Sequence, residues 1–223
     1  MVERRLVDDV AFEAPISTRD PGERLTQEAI AERLSVSRQP VSHALQLLKR
    51  QGLVIEHGRR GLSVAPIEAN RMRDLYQLRA AIEGLASRLA AERVVRGEAG
   101  AEIDRLSECL TRGSSLASDA PLHDWIESDV AFHQSVYRLS GNVAVAETVT
   151  GFLPHFKRCM GTSLSNLEVR AAIWGEHAAI AEGILSGAPR AAESAATHHA
   201  EKAGNALYHR LTQKVGIESA RRA

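Results

Sequence analysis

Residues 25–64 read LTQEAIAERLSVSRQPVSHALQLLKRQGLVIEHGRRGLSV. After Thr26, a candidate helix start, apolar Ala29, Ile30 and Leu34 recur at helical spacing. Ser35-Val36-Ser37 then interrupts the pattern as a tight turn. Ser37 has the character of a helix N-cap, and Pro40 is tolerated in a first turn, where its missing N–H has no intrahelical acceptor. Val41, Ala44, Leu45 and Leu48 make the apolar stripe of a second helix, which Gly52 ends. Leu53-Val54-Ile55 and Leu62-Ser63-Val64 are strand-like runs flanking His57-Gly58-Arg59-Arg60-Gly61, and they read as a two-stranded wing. Helix, turn, helix and basic hairpin in that order outline a winged helix-turn-helix, which lays its second helix in the DNA major groove.

Upstream, Arg4–Phe12 is a short helical candidate, and Pro15 and Pro21-Gly22 break the chain before the first helix of the motif. Downstream, Ala65-Pro66-Ile67 reads as a connection. The remainder is almost wholly helical in pattern, with six helices expected near 69–96, 99–112, 121–140, 142–161, 166–186 and 189–213. Gly97, Gly113, Gly141 and Gly187 punctuate them, and Gly187-Ala188-Pro189 combines a helix stop with a restart that carries proline in its first turn. The expected fold class is therefore mostly α, a winged helix-turn-helix over residues 1–66 followed by an all-α bundle. A linker spans 67–70, the bundle 71–214, and a tail 215–223.

Composition agrees with packed helices: aromatic residues make up 4% of the chain and the apolar content lies in small and aliphatic side chains. The formal net charge is zero, so bulk charge does not point to nucleic acid. Its distribution does. From residue 24 to residue 60, Arg24, Arg33, Arg38, Lys49, Arg50, Arg59 and Arg60 face only Glu28, Glu32 and Glu56. Cys109 and Cys159 are far apart and form no CxxC pair. There is no apolar leader and no stretch suited to crossing a membrane, so the expected location is the cytoplasm with reduced thiols.

A groove-reading helix needs short polar or basic side chains at its N-terminal end and an apolar back. Ser37, Arg38 and Gln39 supply that end. Arg38 has the reach for a guanine edge or a phosphate, and Gln39 for adenine. Ser42 and His43 follow one turn later, Arg33 is placed for backbone contact, and Arg59, Arg60 and Gly61 belong to the wing. The block PGERLTQEAIAERLSVSRQPVSHALQLLKRQGLV, residues 21–54, resembles the N-terminal domain of the GntR family of bacterial regulators. That resemblance implies double-stranded operator DNA as partner and a homodimer reading a two-fold symmetric site. The chain departs from the family at Ser42-His43, where Arg-Glu is usual. AFEAPIST replaces a regular first helix. The Ser42-His43 pair removes a groove arginine and opens the operator preference.

A second constellation lies downstream. Asp129 and His133 are four apart in ESDVAFHQSV, which puts a carboxylate and an imidazole on one helix face. His177 and His199 fall in later helices. One carboxylate and three imidazoles suit a borderline divalent ion. Spacing alone does not separate this set from the many combinations that nine histidines allow. The segments DVAFHQSVYRLSGN and EHAAIAEGILSGAPRAAESAATHHA resemble the all-helical effector domain, FCD, of the FadR-type branch of the same family, over about residues 71–210. The resemblance implies that Asp129, His133, His177 and His199 hold a divalent metal, with zinc ahead of nickel or manganese. It selects His199 over His198 by segment length.

The resemblance also implies an effector pocket beside that metal, fitted to a small carboxylate metabolite, and a dimerising role for the domain. Arg79 is at the position of an inward-facing arginine and would meet the effector carboxylate; the alternative is an ion pair with Glu83 four residues on. His155, Arg158 and Asn205 are further candidates for the lining, while Trp125 and Trp174 read as core. The expected function is a ligand-responsive transcriptional repressor, not an enzyme. A metal-sensing regulator and a metal hydrolase with Glu176 as base are the competing readings; the latter lacks a phosphate loop or a nucleophile elbow.

Overall fold

The computed structural model describes Val10, residues 22–58 and residues 61–222, the stretch 214–222 through its backbone alone. The sequence-based helix Arg4–Phe12, apart from Val10, and Pro15, Pro21, Arg59 and Arg60 lie outside the described residues. Two compact units result. One comprises residues 1–67 with Leu153–Cys159, the other Glu68–Phe152 with Met160–Ala223.

The first unit opens with a two-residue strand, β1 (Arg24–Leu25), followed by α1 (Gln27–Leu34), α2 (Arg38–Arg50), β2 (Val54–His57) and β3 (Gly61–Val64). The sheet is three-stranded in the order β1-β3-β2, all antiparallel, with Arg24 opposite Ser63 and Val54 opposite Val64. The wing hairpin was legible, but β1 was not, because two residues carry no periodicity. Thr26 caps α1, its hydroxyl accepting from the Ala29 N–H. The inward face of α1 is Ile30 and Ala31 with Leu34 at its edge; Ala29 is exposed, contrary to the expected stripe. The stripe of α2 is as read: Val41, Ala44, Leu45 and Leu48 are all buried, and they join Leu25, Leu53, Val54 and Val64 in one core. Burying a leucine of this kind stabilises by roughly 1.5–3 kcal/mol.

The turn between the helices rests on Ser35, which adopts the left-handed conformation at φ 53° and ψ 41°. The Val36 N–H reaches back to the Ala31 carbonyl and closes the end of α1. A side chain branched at Cβ fits this conformation poorly. Ser35→Val is expected to lower the stability of this unit by about 1–2 kcal/mol, whereas Ser35→Gly retains or raises it. Urea unfolding midpoints of the two variants check the sign; equal midpoints would show that the turn tolerates the branch.

The second unit is helical throughout: α3 (Ala69–Val95), α4 (Glu102–Ser114), α5 (Leu122–Leu139), α6 (Val143–Ser163), α7 (Leu167–Leu185) and α8 (Pro189–Arg222). The middle of α6, Leu153–Cys159, groups with the first unit. Helix α8 runs on through 215–222, where the sequence suggested a separate tail; Gly204 and Gly216 cost helix propensity without imposing a stop. Small residues bring the helices close. A Cβ on Gly84 of α3 would collide with Thr197 Oγ1 of α8, and one on Gly183 of α7 would meet the backbone nitrogen of Ala192 on α8 at 2.7 Å. Gly113 of α4 makes room for Trp174 in the same way. Both cysteines are free thiols. No helix of the described residues is long and apolar enough to cross a membrane.

Candidate functional site

The first unit presents the polar face of α2. Its N-terminal turn carries no acidic residue, so the partial positive charge of the helix end is left unopposed for an anion. Ser37 takes the N-cap position in extended conformation without using its hydroxyl as a cap. Arg38 pairs with Glu28 Oε1 of α1 at 3.0 Å, with both side chains mostly exposed. Such a pair contributes little in water and is readily exchanged for a phosphate or a base edge. Gln39 and His43 are exposed, and so is Arg33 in the last turn of α1. Ser42 accepts a 3.3 Å hydrogen bond from Gln27 Nε2, which ties the two helices together. Gly61 sits opposite His57 where β3 begins, and a Cβ there would lie 2.6 Å from the His57 carbonyl oxygen. Its lack of a side chain thus serves closure of the hairpin.

In the second unit, α5 supplies Asp129 and His133, α7 supplies His177, and α8 supplies His199; all four side chains are buried. Asp129 Oδ1 is 3.5 Å from His177 Nε2, and Asp129 Oδ2 is 3.7 Å from His133 Nε2. Donor atoms of the three histidines all lie within 4.8 Å of one another. Ligands about 2.0–2.1 Å from a tetrahedral zinc ion would stand ~3.4 Å apart, close to the two carboxylate–imidazole spacings, while the mutually close set comprises the three histidines without Asp129. His133 Nδ1 is 3.1 Å from Glu83 Oε2, and His199 Nδ1 donates to Glu176 Oε2 at 2.8 Å. Each carboxylate thereby holds the Nδ1–H and leaves Nε2 as the acceptor, the arrangement typical of the residues behind a metal's ligands; on His133 that acceptor takes a 2.9 Å hydrogen bond from Arg79 Nη2, which an ion would displace.

His177 is the most telling of the four. It is 0% exposed, yet neither ring nitrogen has a hydrogen-bond partner, and Asp129 Oδ2 is likewise buried and unpartnered. Buried polar atoms are normally satisfied, because each orphan costs about 1–3 kcal/mol. A divalent ion would take one His177 nitrogen together with an Asp129 oxygen and leave the second ring nitrogen as it is, so the residues present fit one. Burial, with His199 and His133 alongside, pushes the His177 imidazole well below its ordinary range, which keeps it in the neutral form that ligation requires.

Arg79 and Glu83, four apart on α3, form a buried ion pair at 2.6 Å behind this cluster. Arg79 Nη2 also donates to His133 Nε2 at 2.9 Å, and the Tyr137 hydroxyl donates to Glu83 Oε1 at 2.9 Å. Burial favours the neutral carboxyl of Glu83, but the Arg79 guanidinium and then His133 outweigh it and hold Glu83 well below the usual carboxylate range. The ion pair and the contact with the cluster coexist in Arg79. Glu176 accepts from Lys202 Nζ at 2.5 Å as well as from His199. Burial raises its carboxyl, and these two donors more than offset that and lower it, so Glu176 is a poor proton acceptor and serves to orient His199.

His155 and Arg158 fall in the part of α6 that groups with the first unit; Arg158 is buried and its Nη2 has no partner. Asn205 is exposed on α8. Among the described residues, no hydrogen bond or ion pair joins Arg158 or Asn205 to the four-residue cluster. Glu83 and Tyr137 were legible only as i+4 neighbours of Arg79 and His133.

Comparison with known proteins agrees with both halves. Residues 17–64 match the family model described as bacterial regulatory proteins of the gntR family, and residues 74–202 match that of the FCD domain. The chain is 34% identical over 129 residues to the Nta operon transcriptional regulator of Aminobacter aminovorans, covering 58% of this chain and 59% of that one. It is 31% identical over 180 residues to an uncharacterized HTH-type transcriptional regulator in an unstable DNA locus of Streptomyces ambofaciens, covering 80% and 73%. The fold is similar to that of E. coli McbR/YncC, with a TM-score of 0.80 at 15% identity over 95% of this chain and 99% of the other. The chain belongs to the GntR family of bacterial regulatory proteins, with a C-terminal FCD domain, and is a DNA-binding transcriptional regulator rather than an enzyme.

Proposed function

We propose that this regulator is a ligand-responsive repressor whose operator affinity is set by a small carboxylate held in the FCD domain. The observation that carries the reading is the fully buried His177, with both nitrogens unpartnered, facing Asp129, His133 and His199. These four residues would hold a divalent ion, zinc before nickel or manganese. When bound, the ion supplies a Lewis-acidic point for an oxygen of the effector. The chain supplies the rest. Glu83 and Glu176 fix the rings of His133 and His199, and Arg79 offers a guanidinium to the effector carboxylate. The surrounding apolar side chains exclude water and strengthen that charge pairing. The regulator acts as a homodimer on a roughly palindromic operator, read by Ser37, Arg38, Gln39, Ser42 and His43 with Arg33 on the backbone. The wing residues Arg59, Arg60 and Gly61 add contacts outside the major groove. Effector binding shifts the population of DNA-competent states by its differential affinity for them.

The test begins with operator DNA selected from a random pool. Arg38→Ala is expected to weaken binding to the selected sequence by about 1–3 kcal/mol, or roughly ten- to a hundredfold, with a smaller change on unrelated DNA. Small carboxylates should release wild-type protein from that DNA in the presence of zinc and lose this effect after chelation. Undiminished binding by Arg38→Ala would remove the recognition-helix assignment. Release that ignores the chelator would remove the metal from the mechanism.

A further inference from the structure

We infer that the FCD domain carries a second small-molecule site, separate from the histidine centre, which takes a small aromatic carboxylate on Arg170. A cavity of about 410 Å³ opens among the end of α4, the start of α5 and the N-terminal half of α7. Its volume lies in the range of small-ligand sites. Arg170 lines it and is only 8% exposed. Among the described residues no carboxylate pairs with this guanidinium. Backbone carbonyls fix it instead: Nε donates to Leu164 at 2.7 Å, and Nη1 to Ser118 at 2.8 Å and to Ala120 at 3.4 Å. The guanidinium has five N–H donors, and the pair on Nη2 takes no part in those bonds. Carbonyl dipoles orient the charge without cancelling it. The free Nη2 edge has no counter-charge, and a planar carboxylate is the anion whose fork matches that of the guanidinium.

The walls specify the rest of the ligand. Trp125 lies under Arg170, with the guanidinium carbon 5.1 Å from the ring centroid, and Trp174 lines the same cavity. The Trp125 indole N–H is buried and has no acceptor, a second donor without a partner. Ser114 and Ser118 add polar positions among otherwise apolar surface. Two indoles beside an unpaired guanidinium suit a flat ring bearing one carboxylate. Arg170, Trp174 and His177 share one face of α7, and the Trp174 ring meets the His177 ring edge-on with centroids 4.7 Å apart. Occupancy of the cavity is therefore transmitted to the histidine centre through a single side chain.

Trp125 and Trp174 are the two tryptophans of the chain, so intrinsic fluorescence reports on this cavity. The test titrates the full-length protein with phenylacetate, and with phenylacetamide as its uncharged twin, in a chelating buffer that keeps the histidine centre metal-free. Phenylacetate should change the emission saturably, and phenylacetamide should bind at least about tenfold more weakly. Arg170→Gln should abolish the response. Because Arg170 also braces three carbonyls, Gly175→Leu provides a second variant. Gly175 lines the cavity and a Cβ there meets nothing within 4 Å, so leucine blocks the space while favouring the helix. It should retain the wild-type circular dichroism and lose phenylacetate binding. Three results would overturn the site: no saturable response to phenylacetate, an equal response to the amide, or an undiminished response in Gly175→Leu.

Discussion

Glu83→Ala is expected to cost about 3–5 kcal/mol of stability. The reason is what it leaves behind. Arg79 is 4% exposed and Glu83 is its 2.6 Å partner, so truncation strands a desolvated guanidinium. Tyr137 and His133 lose their acceptor in the same step. Burial is the largest influence on Arg79 and pulls it down, but Glu83, with Tyr76, Tyr137 and Asp129 added, outweighs it and holds the guanidinium above its ordinary range, so it has no route to neutrality. A double replacement, Arg79→Met with Glu83→Leu, should recover most of the loss, since an apolar pair of similar volume avoids the desolvation of both charges. Denaturant midpoints of the three variants test this. A loss below about 1 kcal/mol in Glu83→Ala would mean that water reaches Arg79. The double variant, although stable, should no longer respond to effector.

The second large effect has opposite signs under two conditions. In chelator, His177→Leu is expected to raise stability by about 1 kcal/mol, because it removes two buried nitrogens that have no partner. Loss of the stacking with Phe132, at 4.3 Å between centroids, offsets part of the gain. With zinc at about a hundred times its dissociation constant, wild type should gain about 2.7 kcal/mol while the variant gains nothing. Thermal unfolding with and without zinc separates the cases. An ordinary core histidine would give the reverse: destabilisation in chelator and an unchanged zinc response. A residue that weakens the empty fold and strengthens the loaded one is the expected mark of a site kept for function.

Local signals were legible in the sequence and tertiary ones were not. The α2 stripe at Val41, Ala44, Leu45 and Leu48 follows from periodicity alone, and Asp129 and His133 share a face because they are one turn apart. The inward choice of Ala31 over Ala29 depends on how α1 is rolled against α2, which alanines of equal hydrophobicity do not encode. Bringing His177 and His199 to Asp129 required α7 and α8 to pack closely, and the residues that allow this have no chemistry of their own. Glu83 read as an i+4 ion-pair partner of Arg79, and Glu176 as the base of the competing hydrolase reading. Their roles emerged only with the rings that they hold. The lack of a carboxylate beside Arg170 was invisible from its neighbours in sequence, because two of its three carbonyl partners lie some fifty residues away.

The contact of Gly183 with the Ala192 backbone gives the histidine centre a remote adjustment. His199 lies two turns beyond Ala192 on α8, and His177 lies nearly two turns before Gly183 on α7. The helix pair thus works as a caliper whose hinge is a missing methyl group and whose jaws carry imidazoles. A side chain at the hinge would push backbone rather than a yielding side chain, and the jaws would part. Relatives that keep all four residues could therefore differ in how far apart their donor atoms stand, without altering any donor.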